Sequence, residues 1–393
     1  MPSETIKLTA KFKLKGTLKG LDELFQTYRE IVNLLITYAF ENNVTSFYRL
    51  KKETYKGLRK EYPELPSHYL YTACQMATAI FKSFRKRKKK GRAKGKPVFK
   101  KDVIMLDDHL FKLDLENKTV KLSTPKGRVQ LEFYPAKYHE KFREWKVGQA
   151  WLVRTSKGVF LNVVFSGEVE VKELKAFVGV DLNENNVTLS LPNGKFVQFI
   201  THEREIRTGY FVKRRRIQQK IKVGKMRKEL LEKYGLREKN RLNDLYHKLA
   251  NKIVELAEKY GGIALEDLME IRDSIRYSAE LNGRLHRWSF RKLQSIIEYK
   301  AKLRGINVVF VNPALTSSLC PVCGDKLSPN GGRVLKCSKC GFEADRDMVG
   351  SWNIRLRALK MWGVPVPPES PTMKTGVGKV IRYDWFESSK SSG

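Results

Sequence analysis

The 393-residue chain has no apolar run approaching the ~20 residues that a membrane-spanning helix needs. Its N-terminus, Met-Pro-Ser-Glu-Thr-Ile-Lys-Leu, lacks the apolar stretch of a secretory signal, so a cytoplasmic location is expected. Cysteine is scarce. There are five, four of them in CxxC pairs, which argues against a disulfide scaffold and fits a reducing compartment. The six histidines, at 68, 109, 139, 202, 247 and 286, form no HxxxH pair, and the sequence assigns none of them a catalytic role. Acids are outnumbered: 42 aspartates and glutamates face 77 lysines and arginines, a formal charge of +35. Self-repulsion on that scale implies a polyanionic partner. Nucleic acid fits better than a membrane surface, because neutralised phosphates release counterions and give affinity without sequence preference.

What is present is enough for two or three domains, with an apolar share of 41%. Residues 3–16 alternate, as in Ile6-Lys-Leu-Thr-Ala-Lys-Phe-Lys-Leu14, which predicts a strand with one basic face. The spacing then turns helical, with Leu21, Leu24, Phe25, Tyr28, Ile31, Val32, Leu35 and Tyr38 on one face. Further helices are expected at about 46–61 and 67–86, with Cys74 packed in the core of the second as a small hydrophobe. From about 98 to 175 short strands separated by turn residues predict a β-barrel. The strand at 3–16 completes that barrel and makes the helical block an insertion.

Beyond it, Ala176-Phe-Val-Gly-Val-Asp-Leu182 is a nearly continuous apolar strand, followed by a hairpin around Pro192-Asn-Gly194. A basic helical stretch spans 205–260, and Gly261–Leu268 is a second apolar strand ending in acids. A polar loop, a helix near 290–304 and a strand at 307–311 lead to the CxxC pairs; a last helix is expected at 347–361. The segment 364–393, rich in Pro, Ser, Gly and Lys, is expected to be disordered.

Cys320-Pro-Val-Cys323 and Cys337-Ser-Lys-Cys340, with 13 residues between them, form two chelating knuckles. Four thiolates complete the closed tetrahedral shell of a structural Zn²⁺ site. Three acids stand at a strand end or a helix start: Asp181, Glu266 and Asp347. An aspartate inside an apolar strand is costly unless something pairs it, and a divalent metal such as Mg²⁺ removes that cost. Several carboxylates around two ions about 4 Å apart are what two-metal phosphodiester cleavage uses. Taken singly, each acid has an ordinary reading. Asp181 would open a turn, Glu266-Asp267 would be a solvated pair, and Asp345 or Asp347 would cap a helix. Only the combination points to a site. Two basic runs, Arg85-Lys86-Arg87-Lys88-Lys89-Lys90 within 82–101 and Lys213-Arg214-Arg215-Arg216, are candidates for phosphate contacts, which carry no sequence information.

The order Gly179-Val-Asp181, Ala264-Leu-Glu266-Asp, CxxC…CxxC and Asp345-Arg-Asp347 followed by Asn353-Ile354 resembles the TnpB proteins, transposon-encoded RNA-guided DNA nucleases related to type V CRISPR effectors. Trp288-Ser-Phe-Arg-Lys-Leu and Asn312-Pro-Ala-Leu-Thr-Ser-Ser-Leu-Cys-Pro-Val-Cys support it. The resemblance implies an α+β multidomain protein. A wedge-type β-barrel (1–17 and 95–175) would hold a helical recognition insertion (18–94), followed by an RNase H-like (RuvC) α/β domain (176–315 and 345–363) with an inserted zinc ribbon (316–344). It also implies Asp181, Glu266 and Asp347 as the catalytic, Mg²⁺-binding acids, with Asp345 as the alternative third ligand. Guide RNA and target double-stranded DNA with a short adjacent motif would be the partners, and the basic runs would line the heteroduplex channel. A prokaryotic, nucleoid-associated location follows. The chain departs from the family pattern at Val349, where Asn is usual, and at Asn183, where Gly is frequent.

Two rival functions share these features: a catalytically weak RNA-guided repressor, and a DNA-binding transposon accessory protein without nuclease activity. Metal-dependent cleavage separates the enzyme from both, and guide dependence of DNA binding separates the two rivals.

Overall fold

A computed structural model describes residues 2–16, 21–268, 278, 282–283, 288–363 and 380–384. It divides into two compact units, Thr5–Glu168 and Met1–Glu4 with Val169–Gly393. Most of the polar loop expected after Leu268, and residues 364–379 and 385–393, lie outside the described residues. Among the described residues no helix is long and apolar enough to cross a membrane.

The first unit is built on seven strands: β1 (Ser3–Leu14), β2 (Val103–Leu106), β3 (Phe111–Asp114), β4 (Thr119–Thr124), β5 (Gly127–Tyr134), β6 (Lys146–Thr155) and β7 (Gly158–Glu170). They form one sheet in the order β2-β6-β7-β1-β5-β4-β3. Its two edge strands, β2 and β3, are consecutive in the chain and separated only by residues 107–110, so the sheet curls until it is nearly closed. Between β1 and β2 the chain inserts α1 (Leu21–Glu41), α2 (Phe47–Glu61) and α3 (Ser67–Lys89). The apolar stripe of α1 is buried as the spacing predicts, except that Ile36 and Ala39 join it while Tyr38 stays partly exposed. Ser46 caps α2, its hydroxyl accepting the Arg49 N–H. Phe12, Phe133 and Phe165 from the sheet share one core with Tyr28 and Tyr69 from the helices. Tyr28 is fully buried, and its hydroxyl donates to Thr72 (3.3 Å) and accepts the Met105 N–H (3.4 Å), joining α1, α3 and β2. Cys74 packs in α3, where burial pushes its thiol up to about 11.

The second unit holds a six-stranded sheet of β8 (Ala176–Leu182), β9 (Asn186–Ser190), β10 (Phe196–Ile200), β11 (Gly261–Glu266), β12 (Asn307–Val311) and β16 (Val380–Asp384). Their order is β12-β11-β8-β9-β10-β16. β8, β9 and β10 run as an antiparallel meander, while β11 lies parallel to both β8 and β12. Helices α4 (Glu203–Lys220), α5 (Lys225–Ala257) and α6 (Phe290–Lys302) precede the cysteine segment, and α7 (Arg346–Met361) follows it. The single helical stretch expected at 205–260 is two helices. The break falls at 221–224, where Ile221 turns extended ahead of Gly224. One correction concerns the tail, expected to be disordered throughout. Val380–Asp384 is a strand, paired in parallel along β10, with Tyr383 stacked on Phe199 at 5.4 Å. A polar average over thirty residues hid a short alternating stretch that the open edge of β10 supplies with backbone partners.

Candidate active site

Strand parity decides where the acids go. Val178, Val180 and Leu182 of β8, with Ile263 and Leu265 of β11, join the core made with α5 and α6. Phe177 and Ala264 join the opposite core, made with Ile354, Ala358 and Leu359 of α7. Successive side chains alternate across a sheet, so Asp181 and Glu266 share the α7 face of two adjacent strands. They follow directly on the paired positions Val180 and Leu265. Helix α7 crosses that face closely: a Cβ on Gly179 would sit 2.1 Å from the Ser351 carbonyl oxygen, so glycine is the only residue that fits there. On α7 itself, a Cβ on Gly350 would lie 3.2 Å from Asp181 Oδ2. Asp347, in the first turn of α7, completes the group.

The acids are tied by amides and one guanidinium. Asn183 Nδ2 donates to Asp181 Oδ2 (2.9 Å) and to Asp347 Oδ1 (3.1 Å), and Asn186 Nδ2 donates to Asp347 Oδ2 (3.1 Å). Arg333 forms an ion pair with Asp347 and lies 3.7 Å from Asp345. Thr316 donates its hydroxyl to Glu266 Oε1, and Gln294 Nε2 donates to the Glu266 carbonyl oxygen at 2.7 Å. The sequence singled out neither Arg333, Thr316, Asn186 nor Gln294 as a site residue. Thr316 lies in the stretch from Asn312 already noted, Asn186 lies three residues beyond Asn183, and nothing in the pattern marked Arg333.

All three carboxyls are held above the ordinary range. Burial pushes Asp181 up to about 8, and the charges of Glu266 and Asp347 add to it, against smaller relief from Asn183 and Arg333. Burial raises Glu266 against the Thr316 hydrogen bond, and raises Asp347 against Arg333. Asp347 is buried and Asp181 and Glu266 are half-buried; Arg333 offsets the charge of Asp347 and Asp181, and Arg357 that of Glu266. An all-oxygen set short of positive charge fits a hard divalent cation. The carboxylates do not close to a single shell with every ligand atom within 4.8 Å, as the thiols do.

The residues around Asp347 have separate tasks. Asp345 caps α7, its Oδ1 accepting the Asp347 N–H at 2.8 Å. Val349 is fully buried beside Phe196, Phe342 and Trp352, so no amide reaches the site from that position. Asn353 Nδ2 donates to the carbonyls of Thr316 (2.7 Å) and Leu319 (2.8 Å), fastening α7 to the segment that carries Thr316.

The cysteine segment adds a small sheet of β13 (Ser328–Pro329), β14 (Val334–Lys336) and β15 (Glu343–Asp345). Its two knuckles repeat one hydrogen-bond pattern. The Cys320 N–H donates to Asp325 O and the Gly324 N–H to Cys320 O, as the Cys337 N–H does to Phe342 O and the Gly341 N–H to Cys337 O. Sγ separations are 3.6 Å for Cys320–Cys340 and 3.5 Å for Cys323–Cys337. All four sulfurs lie within 4.8 Å of one another, which suits one tetrahedral ion with bonds of about 2.3 Å. The Cys340 backbone N–H brings Cys337 down to about 7, toward the thiolate a metal requires.

Of the basic runs, Arg85 is partly buried near the end of α3 and Lys86, Arg87, Lys88, Lys89 and Lys90 are exposed. In α4, Lys213, Arg215 and Arg216 are exposed. Arg214 is instead ion-paired with Glu238 of α5, and Lys213 Nζ lies 4.4 Å from the centre of the Tyr234 ring.

The chain matches the family model described as Cas12f1-like, TNB domain, over residues 290–354, a range holding the four cysteines and Asp347. Residues 24–123 match the uncharacterized protein MJ0013 family. The TnpB-like protein MJ0751 of Methanocaldococcus jannaschii is 36% identical over 282 residues, covering 68% of this chain and 99% of the relative. The CRISPR-associated endodeoxyribonuclease Cas12f1 of Sulfoacidibacillus thermotolerans is 37% identical over 115 residues, 28% of this chain and 26% of the relative. Among solved structures, the mini-RNA-guided endonuclease CRISPR-Cas_phi3 is similar with a TM-score of 0.52 and 12% sequence identity over 93% of each chain, a likeness of fold alone.

Proposed function

The chain belongs to the TnpB family, related to type V CRISPR effectors, and on that premise we propose that it is an RNA-guided DNA endonuclease cutting in one RuvC-like site. The observation that carries the reading is the convergence of Asp181, Glu266 and Asp347, from three distant segments, as carboxyls whose protons burial and mutual charge hold on. The strand order supports it: an antiparallel meander β8-β9-β10 with β11 and β12 added in parallel beside β8 is the arrangement of an RNase H-like sheet.

In this reading Asp181, Glu266 and Asp347 hold Mg²⁺. Bound there as a pair, the ions would activate a water and stabilise the leaving oxygen, giving 3′-hydroxyl and 5′-phosphate ends. The chain supplies orientation. Asn183 and Asn186 fix the Asp347 carboxylate at the positive end of α7, and Thr316 and Gln294 fix Glu266. The zinc ribbon is structural, since thiolates fill every position. It also anchors Arg333 and the cap residue Asp345 beside the acids. Exposed lysines and arginines of the two runs contact the phosphates of guide RNA and target DNA, and base pairing with the guide reads the sequence.

The test is to purify the protein with the RNA it carries, sequence that RNA, and offer a matching plasmid beside a randomised flank in Mg²⁺ or EDTA. Guided cuts that vanish in EDTA and in Asp181→Ala are expected. Guided binding without cuts would favour the weak-nuclease repressor, the reading to which the buried Val349 lends support. No discrete RNA and no guided binding would overturn both.

A further inference from the structure

We propose that His68, Asp107 and His109 form a second, thiolate-free site for a divalent transition-metal ion of the Zn²⁺ type. The ion would clip the first turn of α3 to the loop that joins the edges of the curled sheet. The ligand atoms of these three residues all lie within 4.8 Å of one another. That spacing admits one ion with nitrogen and oxygen bonds of about 2.0–2.2 Å. Two imidazoles and a carboxylate prefer zinc, nickel or cobalt to magnesium, which sets this cluster apart from the all-oxygen acids.

One of the two imidazoles, His109, is oriented as metal-ligating histidines usually are. His68 Nδ1 lies 2.7 Å from Asp107 Oδ2, and His109 Nδ1 lies 3.1 Å from Asp108 Oδ1. Asp108 on Nδ1 of His109 fixes that ring's tautomer and leaves its Nε2 lone pair for an ion. The His68–Asp107 hydrogen bond is instead one the ion would replace, with His68 Nδ1 and Asp107 Oδ2 as its ligand atoms. The rings stack at 3.9 Å and 15°, with the edge of Tyr71 at 5.1 Å from His68, and the exposed His109 ring would turn out of the stack to bring its in-plane lone pair to the ion. The loop is shaped in advance: the His109 N–H donates to Asp107 Oδ1 (3.2 Å) and the Leu110 N–H to the Asp107 carbonyl (3.1 Å). With three protein ligands, water completes the coordination.

The position gives the ion a mechanical role. His68 is the second residue of α3, and residues 107–110 connect β2 to β3, the two ends of the strand order. The neighbouring Tyr69 hydroxyl already donates to Ser123 O (2.6 Å) in β4. An ion at His68 would fasten the helical insertion across the seam of the sheet. This rests on no part of the nuclease reading.

The full-length protein, stripped of metal and dialysed against Zn²⁺, is expected to hold two ions per chain by mass spectrometry, one on the cysteines and one here. His68→Gln and His109→Gln are each expected to reduce the content to one, with circular dichroism unchanged. Asp107→Asn, which removes the carboxylate ligand, should likewise reduce the content to one, and Asp108→Asn should weaken the second ion by about 10–100-fold. Co²⁺ at the second site should add visible bands without thiolate charge transfer, and the second zinc equivalent should raise Tm in the wild type but not in His109→Gln. A single ion in the wild-type protein would overturn the proposal. So would a second ion that persists in both histidine variants, because it would then be bound elsewhere.

Discussion

The four thiols and the three carboxyls are neighbours in one unit but are assembled in opposite ways. Each cysteine knuckle closes within six residues through its own backbone hydrogen bonds, and the two pairs face each other across a small sheet. The acids come from β8, β11 and α7, each more than eighty residues from the next, and only sheet parity and helix packing unite them. The backbone of the knuckle already favours a thiolate at Cys337. Burial, and after it the charges of Glu266 and Asp347, make ionisation of Asp181 costly. A site built by local turns is a folding device; a site built by long-range packing against electrostatic cost is the better place for chemistry.

The sharpest break of this comparison is removal of an acid. Asp181→Ala, Glu266→Ala or Asp347→Ala should each lower single-turnover guided cleavage on the order of 10³-fold or more, while guided DNA binding in a filter assay changes only a few-fold. Removing a thiol should act through folding instead. Cys337→Ser is expected to lose the ribbon zinc, whose binding free energy in small zinc domains is about 10–16 kcal/mol. Faster hydrogen exchange over residues 316–345 should accompany it, and cleavage should fall with the loosening of Arg333 and Asp345.

Next in size is a pH effect of defined sign. The Asp181 carboxyl is raised from an ordinary aspartate value to about 8, so its contribution favours folding below about pH 4 and is lost as pH rises toward 8. In EDTA, Asp181→Asn should therefore gain Tm over the wild type at pH 8.5, by the equivalent of a few kcal/mol, and much less at pH 5. Mg²⁺ should raise the wild-type Tm at pH 8.5 and release protons on binding, readable by calorimetry in two buffers. Equal Tm for both proteins across that range would mean that burial and the neighbouring charges do not hold the proton on Asp181.

Smaller effects come from the groups that hold the acids. Arg333→Gln should reduce cleavage roughly tenfold and raise the Mg²⁺ concentration needed, because Asp347 loses its ion pair with Arg333. Thr316→Val, of nearly equal volume, should cost about 1–2 kcal/mol in cleavage by freeing the Glu266 carboxylate, while Thr316→Ser should restore most of it.

Much of this was legible in one dimension because the responsible interactions are local. The CxxC spacing specifies a chelate, the stripe from Leu21 to Leu35 specifies a helix face, and the alternation at 3–16 specifies a strand. Other features had no local signature. Arg333 is one arginine among many until the ribbon sets it against Asp347. His68 and His109 show no paired spacing because they come from different elements. Val380–Asp384 is a strand only because β10 leaves an edge open to it. Arg214 looks like its basic neighbours, yet Glu238 from the next helix claims it.

The sequence by itself determined the chelating spacing of the four cysteines, the formal charge of +35, the helical insertion within a β-rich unit, and which acids were candidates. These follow from composition, period and short spacing, which act through bonds and immediate neighbours. Only the tertiary structure decided that Asp181 and Glu266 fall on one face, that α7 approaches closely enough to bring Asp347 to them, and which amides and guanidinium hold the group. Those outcomes depend on strand register and close packing, where a shift of one residue would turn Asp181 from the α7 side to the α5 side.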